Sequence, residues 1–351
     1  MPSKESIAQK IKDLDSVWQL DCGDYIAHLS WSHDGSMIAC ASADGKITVV
    51  DRSGKLVSQW MAHTLGALKV DWSSSGKYLA SAGQDGKARI YEIANRTFDQ
   101  VAALDHGSNW VEHLAWNAKR DALLTGAGKD LRLWEVSGNL EREFVRHGST
   151  IGGIAWNPAM PNLFATGSYG GLRLWSDSEN KPKRFFEWKG SILDIAYSPN
   201  GKTVAGGCQD GAAHIWLLPS GDDLFMNGYA TKVRELAWDS TSRYLATGGS
   251  EVVVVWDFSG KGPSGSKPLM LEGHQAFISK LAFAPKDMRL ASSGLDGNLL
   301  VWNIAGKSKG EPLALFTGDS EISSIAWQPQ AASIAIGYAS GKLILLDLKN
   351  V

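Results

Sequence analysis

One short pattern occurs eight times along this 351-residue chain and limits what it can fold into more than any other feature. The pattern is an aliphatic or β-branched residue, two variable positions, an aliphatic, a small residue and an aromatic. It ends at Trp31, Trp72, Trp116, Trp156, Tyr197, Trp238, Phe283 and Trp327, so successive aromatics are 41, 44, 40, 41, 41, 45 and 44 residues apart. A period of about 40–45 residues marks a propeller blade rather than a helical solenoid. Each repeat holds three apolar bursts separated by turn residues. In the fifth these are ILDIAYS, Pro199-Asn200-Gly201, KTVAGGC, Gln209-Asp210-Gly211 and AAHIWLL. Short β-rich runs broken by Gly, Asn, Asp and Pro predict antiparallel strands joined by hairpin turns.

A fourth run follows most triplets, as in LVSQWMA, DQVAAL, KRFFEW and PLMLEGH, so each repeat predicts a four-stranded sheet. One such sheet cannot bury both faces and exposes its edges, and radial packing of sheets about an axis solves both problems. The last triplet, at KLILLDLKNV, has no fourth run after it, whereas an unassigned strand, SVWQL, precedes the first triplet at residues 16–20. That N-terminal strand is expected to complete the last blade and close an eight-bladed ring spanning residues 16–351. Residues 1–15 form an arm in which Ile7, Ile11 and Leu14 fall on one side of a short amphipathic helix within residues 6–14. Such a helix is marginal alone and is expected to pack on the rim or dock to a partner.

These repeats resemble the WD40-repeat β-propeller family. Gly273-His274 precedes the seventh triplet, Asp296-Gly297 makes its tight turn and Trp302-Asn303 stands at its Trp-Asp position; Trp256-Asp257 is a full pair. Asp44, Asp85 and Asp210 take the same turn position as Asp296, and His63, His106 and His147 lie at or near the histidine position of His274. Departures occur too. Val50, Tyr91 and Leu346 replace the tryptophan, and Tyr169, Ser250 and Ser340 replace the turn aspartate. Few blades are therefore expected to hold the family's complete Asp–His–Ser–Trp network. Seven blades is commoner in the family, but every one of the eight triplets has all three strands, and eight is the expected count.

Charge and cysteine usage narrow the function classes. A formal net charge of −2 gives no general attraction to nucleic acid or an anionic membrane, and no broad basic stripe is present. Cys22, Cys40 and Cys208 form no even framework and no C-x-x-C pair, which fits a reducing compartment. The N-terminus has no secretory apolar core and no apolar run approaches a membrane span, so a cytoplasmic location is expected. Catalytic motifs are absent. Gly201-Lys202-Thr203 and Gly306-Lys307-Ser308 resemble the end of a phosphate loop but lack the preceding glycine and sit in inter-strand connections. No cofactor, metal site or catalytic residue is expected.

The resemblance implies that side chains flanking the first apolar residue of each innermost strand reach the top face around a central channel. Those expected to meet a partner are Tyr25, Leu68, Trp110, Glu112, Leu193, Lys232, Arg234, Phe277 and Glu321, joined by Leu295 just before a tight-turn aspartate. Aromatics and arginine at such places are typical interface anchors. Lys232 and Arg234 form a local basic pair suited to an acidic peptide segment. Three residues before each repeat aromatic lies a mostly polar set, His28, Lys69, His113, Asp194, Glu235 and Lys280, which forms a ring if the strands face the axis. A solvated wall with compensating charges is its plain role, and a metal or small-anion site is the alternative. The chain is accordingly expected to be a non-catalytic scaffold for protein or peptide partners, monomeric within a larger complex. An enzyme using Glu112 and Glu321 as acid and base is the remaining alternative.

Overall fold

The computed structural model describes residues 11–260, 262–306, 309–330, 332–349 and 351. Among the described residues, eight sheets arranged in a ring account for every strand. Blade 1 shows the plan: Ile26–Trp31 innermost, then Met37–Ser42, Lys46–Asp51 and Leu56–Met61 outward, each antiparallel to the one before. The other innermost strands are Ala67–Trp72, Val111–Trp116, Ile151–Trp156, Ile192–Tyr197, Glu235–Trp238, Ile278–Phe283 and Ile322–Trp327. Side chains alternate on a strand, and here both faces of the middle strands are covered by neighbouring blades. Met37–Ser42, Ala122–Ala127 and Ser333–Tyr338 are accordingly buried almost throughout. The core is eight separate clusters, most of them shared between adjacent sheets.

The ring closes as the sequence predicts. Ser16–Asp21 lies antiparallel on Lys342–Asp347, with Trp18 opposite Leu345 and Leu20 opposite Leu343, and is the fourth strand of blade 8. The arm before it is extended where it is described. Lys12–Asp13 runs parallel to Pro312–Thr317 as a fifth strand on blade 7, and Leu14 is buried in the core between blades 7 and 8. The helix expected over residues 6–14 is thus replaced by strand at its C-terminal end, because a free sheet edge offers backbone partners that a helix this short cannot match. Ile7 lies outside the described residues.

The repeat aromatic has a structural reason. The indole N–H of Trp31 donates to the Ala326 carbonyl (2.9 Å), Trp72 to Ser30 (3.1 Å), Trp116 to Asp71 (3.1 Å) and Trp156 to Ala115 (3.0 Å). Trp238 donates to Ala196 (3.2 Å) and Trp327 to Ala282 (2.9 Å). Each acceptor is the residue just before the repeat aromatic of the preceding blade. A girdle of hydrogen bonds therefore ties neighbouring blades at one end of the channel, interrupted where Tyr197 and Phe283 lack an indole. At the blade 4–blade 5 joint, at the end of the innermost strand away from Tyr197, a glycine brings the backbones close. A Cβ on Gly152 would lie 2.1 Å from the Ile192 carbonyl oxygen.

The Asp–His–Ser–Trp network is complete in blade 7. His274 bonds Ser292 Oγ (2.8 Å) and Asp296 (3.3 Å), and Trp302 donates to Ser292 Oγ (2.7 Å). Blade 2 has the His63–Asp85 and His63–Ser81 contacts, with Tyr91 in place of tryptophan. Blades 3 and 4 keep His–Thr–Trp without the aspartate contact, through His106, Thr125 and Trp134 and through His147, Thr166 and Trp175. In blade 6 the Tyr229 hydroxyl stands in for the histidine, contacting Thr247 Oγ1 (2.5 Å) and accepting from the Trp256 indole (3.0 Å).

A chain beginning at Cys22 loses the closing strand and leaves Lys342–Asp347 as a bare edge. Burial of Leu14, Trp18 and Leu20 is lost with it, on the order of 4 kcal/mol. Urea denaturation is expected to show that loss, and a peptide of residues 11–24 added in trans is expected to restore part of it. An unchanged midpoint would contradict closure by this strand.

Candidate functional site

The antiparallel order puts two kinds of connection on one face of the disc, which we call the top: the loop entering each innermost strand and the turn between the second and third strands. Backbone hydrogen bonds join the two sets. Ala43 N–H donates to Tyr25 O (2.8 Å), Gln84 to Gly66 (2.9 Å), Gln209 to Ser191 (3.0 Å), Leu295 to Phe277 (2.9 Å) and Ala339 to Glu321 (2.9 Å). The side chains expected on the top face from two separate stretches of each repeat thus share one surface.

A β-bulge explains why the next position along also reaches this face. In seven blades the pairing of the innermost strand shifts register after its first residue, as between Val111 and His113 or between Ile192 and Asp194. The extra residue leaves the ladder, and a bulge re-aims its side chain. Leu68, Glu112 and Leu193 are such residues. Blade 6 has no shift; its strand starts only at Glu235, and Arg234 precedes it. Ser323 occupies the bulge of blade 8 but is buried, its hydroxyl donating to Ile26 O (2.6 Å) across the seam with blade 1.

Tyr25, Trp110, Glu112, Lys232, Arg234, Phe277, Leu295 and Glu321 are exposed, whereas Leu68 and Leu193 are half-buried. Trp110 has 51% of its surface free. Lys232, Arg234, Glu112 and Glu321 form no ion pair among the described residues. Four of these positions converge. A cleft of about 520 Å³ at the channel mouth is lined by Leu68, Glu112, Leu193 and Arg234, with His113 and Tyr169. Blade 4 contributes Gly152 to its wall, the one blade with a glycine at the bulge position. Tyr25, Trp110, Phe277, Leu295, Lys232 and Glu321 do not line it and lie elsewhere on the top face.

Exposed apolar residues that escaped the sequence reading include Tyr169, 59% exposed, and Leu65. Tyr169 carried a signal. It stands where the repeat's turn aspartate belongs, so a residue normally held by the His–Ser network is replaced by one with nothing to bond there.

Within the channel, Lys280 Nζ pairs with Glu235 Oε1 at 2.9 Å. His113 donates from Nε2 to Ile151 O (3.0 Å), which fixes its tautomer. Desolvation, with the Lys69 charge second, pushes His28 down to about 3 and His113 to about 4. Asp194 touches channel solvent yet has blades on every side, and this loss of bulk solvation lifts its carboxyl to about 6 against the pull of Lys69. Gly153 and Ser324, at the same strand position, are buried against neighbouring blades. Among the described residues, no group of three or more His, Cys, Asp or Glu side chains could hold a metal ion. Glu112 and Glu321 stand three blades apart. Gly201-Lys202-Thr203 is an inter-strand turn, and Lys307 and Ser308 lie outside the described residues.

Comparison with known proteins agrees with this architecture. The sequence model described as "WD domain, G-beta repeat" matches residues 180–216, 224–257 and 265–303, and that of the anaphase-promoting complex subunit 4 WD40 domain matches residues 3–74. The chain belongs to the WD40-repeat β-propeller family. Among its WD40 relatives is the WD repeat-containing protein slp1 of Schizosaccharomyces pombe, 21% identical over 305 residues, covering 82% of this chain and 54% of slp1. THO complex subunit 3 of Arabidopsis thaliana is 28% identical over 126 residues, 35% of this chain and 39% of that protein. Methylosome protein WDR77 of Xenopus laevis is 26% identical over 148 residues, 40% and 43% respectively. The chain spans about half or less of the length of these relatives. In fold it resembles Saccharomyces cerevisiae Sqt1, at a TM-score of 0.83 and 12% identity, over 96% of this chain and 100% of that one. No helix among the described residues is long and apolar enough to cross a membrane.

The buried histidines set a pH dependence. His28 sits near 3, and His106, His113 and His147 near 4, all through desolvation first. In the unfolded chain they protonate at roughly 6.5. Between those values the unfolded state binds more protons, so stability present above roughly pH 6.5 is lost as pH falls. Asp194 opposes this, since its folded value of about 6 exceeds the unfolded one and its proton favours the folded state below that pH. Four imidazoles outweigh one carboxyl. Stability in urea is expected to drop by about 3 kcal/mol from pH 7 to 5, discounted for channel solvent; a flat or rising profile would contradict the assignment.

Proposed function

We propose that this propeller is a non-catalytic scaffold whose top face holds an extended peptide segment or loop of a protein partner within a multiprotein complex. The observation that carries this reading is the cleft at the channel mouth, with half-buried Leu68 and Leu193 beside unpaired Glu112 and Arg234. Around it stand Tyr25, Trp110, Tyr169, Phe277 and Leu295, large side chains exposed on a rigid frame. A preformed surface loses little entropy on docking, and aromatic and arginine side chains are the usual anchors. Lys232 and Arg234 favour acidic residues in the bound segment. Relatives named as members of assemblies, THO complex subunit 3 and methylosome protein WDR77, support a place inside a complex. Three buried free cysteines are consistent with a reducing, cytoplasmic setting. In the channel ring Lys280 pairs with Glu235, and the ring serves in this reading as a solvated wall.

The test compares partners captured from the source cell by wild type and by a Trp110→Ala, Arg234→Glu, Phe277→Ala variant of unchanged circular dichroism. Affinity for the captured partner, measured with purified components, is expected to fall at least ~100-fold, as loss of two or three anchors implies. Equal affinity for both proteins would remove the top face from the account.

A further inference from the structure

At one register position of the third strand, blades 2 to 5 each carry a basic side chain. Arg89 lies opposite Ser81, Arg132 opposite Thr125, Arg173 opposite Thr166 and His214 opposite Gly206. Three of the four have a carboxylate beside them. Arg89 pairs with Asp85 of the tight turn (2.9 Å), Arg132 with Glu143 of the outer strand (2.9 Å) and His214 with Asp223 of the outer strand. Blade 4 lacks both kinds of partner. Tyr169 stands in place of the turn aspartate, and Phe185 lies opposite Arg173 where Glu143 lies opposite Arg132. Arg173 donates to Ser168 Oγ (3.0 Å), its guanidinium rests over the Phe185 ring (4.4 Å), and it forms no ion pair among the described residues. Partial burial pulls it below the usual arginine range, with no anion to oppose the shift. A partly desolvated charge without a counter-ion is costly, and a bound carboxylate removes that cost.

The guanidinium has crossed from the third strand onto the fourth, beside an open edge. Arg184–Trp188 is the outer strand of blade 4 and pairs on one side only among the described residues. On it Phe185 is 43% exposed. Residues 181–190 hold Lys181, Lys183, Arg184 and Lys189 against Glu187 alone, so this edge is basic in a chain of net charge −2. The ring already accepts a fifth strand elsewhere, since Lys12–Asp13 sits on the outer strand of blade 7. We propose that an acidic, extended segment of a partner protein adds as a fifth strand to Arg184–Trp188, with one of its carboxylates on Arg173 and an apolar residue on Phe185. The two side chains stand two positions apart in the segment, since alternate residues share a face. Backbone pairing at the free edge supplies affinity, and the guanidinium and ring supply selectivity. Neither Arg173 nor this edge lines the channel-mouth cleft.

The probe is a capped peptide, Thr-Glu-Thr-Val-Thr-Glu-Thr, which presents its acids and valine on one face when extended, beside a counterpart with lysine for glutamate. Amide deuterium exchange of the full chain is followed at increasing concentrations of each. The acidic peptide is expected to slow exchange at Arg184–Trp188 at least ~3-fold, and the basic one to leave it unchanged. Arg173→Gln is expected to weaken binding of the acidic peptide at least ~10-fold. Arg173→Glu is expected to turn the preference toward the lysine peptide, a reversal that a misfolded variant does not give. The Trp110→Ala, Arg234→Glu, Phe277→Ala variant is expected to bind as wild type does, so the edge is read separately from the top face. Equal affinity of wild type and Arg173→Gln, protection only outside Arg184–Trp188, or no protection at any concentration of the acidic peptide would overturn the proposal.

Discussion

The hydrogen bond from an innermost-strand indole to a carbonyl of the preceding blade is the interaction on which the rest of this propeller depends. Sheets packed face to face keep only apolar contacts, which are not directional. The bonds of Trp31, Trp72, Trp116, Trp156, Trp238 and Trp327 add direction and fix how far each blade is rotated about the axis. They sit at the lower end of the innermost strands, while the bulges sit at the upper end. One end of each strand is therefore tied to its neighbour, and the other turns a side chain outward. The cleft between Leu68, Glu112, Leu193 and Arg234 follows from that division.

Much of this was legible in the sequence because the apolar period and the turn residues survive in all eight repeats. The blade count, the strand order and the closing role of residues 16–20 rest on the pattern alone, and the structure agrees. The exposed positions at Trp110 and Phe277 were also readable, since no core position explains an aromatic there. What escaped depends on contacts between repeats. Five of the indole acceptors lie 41 to 45 residues away and that of Trp31 lies 295 away, and no local pattern names them. The bulge is a hydrogen-bonding irregularity with no residue signature, as Leu68, Glu112 and Gly152 in the same position show. Tyr229 fills the histidine role because a phenol can accept and donate in the same space, a substitution invisible without the Thr247 and Trp256 partners. At Lys12–Asp13 the periodicity fits a helix, whereas the free edge at Pro312–Thr317 makes these two residues a strand.

The polar interior and the seam fit the same picture of a stiff ring closed without a covalent link. Lys280 and Glu235 pair across blades in the channel, and neutral His28 and His113 add no charge at neutral pH. The ties at the seam include the closing strand, the Trp31 indole, the Ser323 hydroxyl on Ile26 O, the Gln328 amide on Gly35 O, and the Leu29 N–H on Ser324 Oγ.

The measurement that tests the central claim most directly is urea denaturation of Trp156→Phe. That change removes the indole donor to Ala115 O at the joint beneath the cleft and keeps an aromatic ring against Phe164. The expected result is a loss of about 2 kcal/mol with an unchanged dependence on urea, one hydrogen bond plus a small loss of packing. A variant as stable as wild type would mean that the blades are held by apolar contact alone and that the indole girdle is incidental.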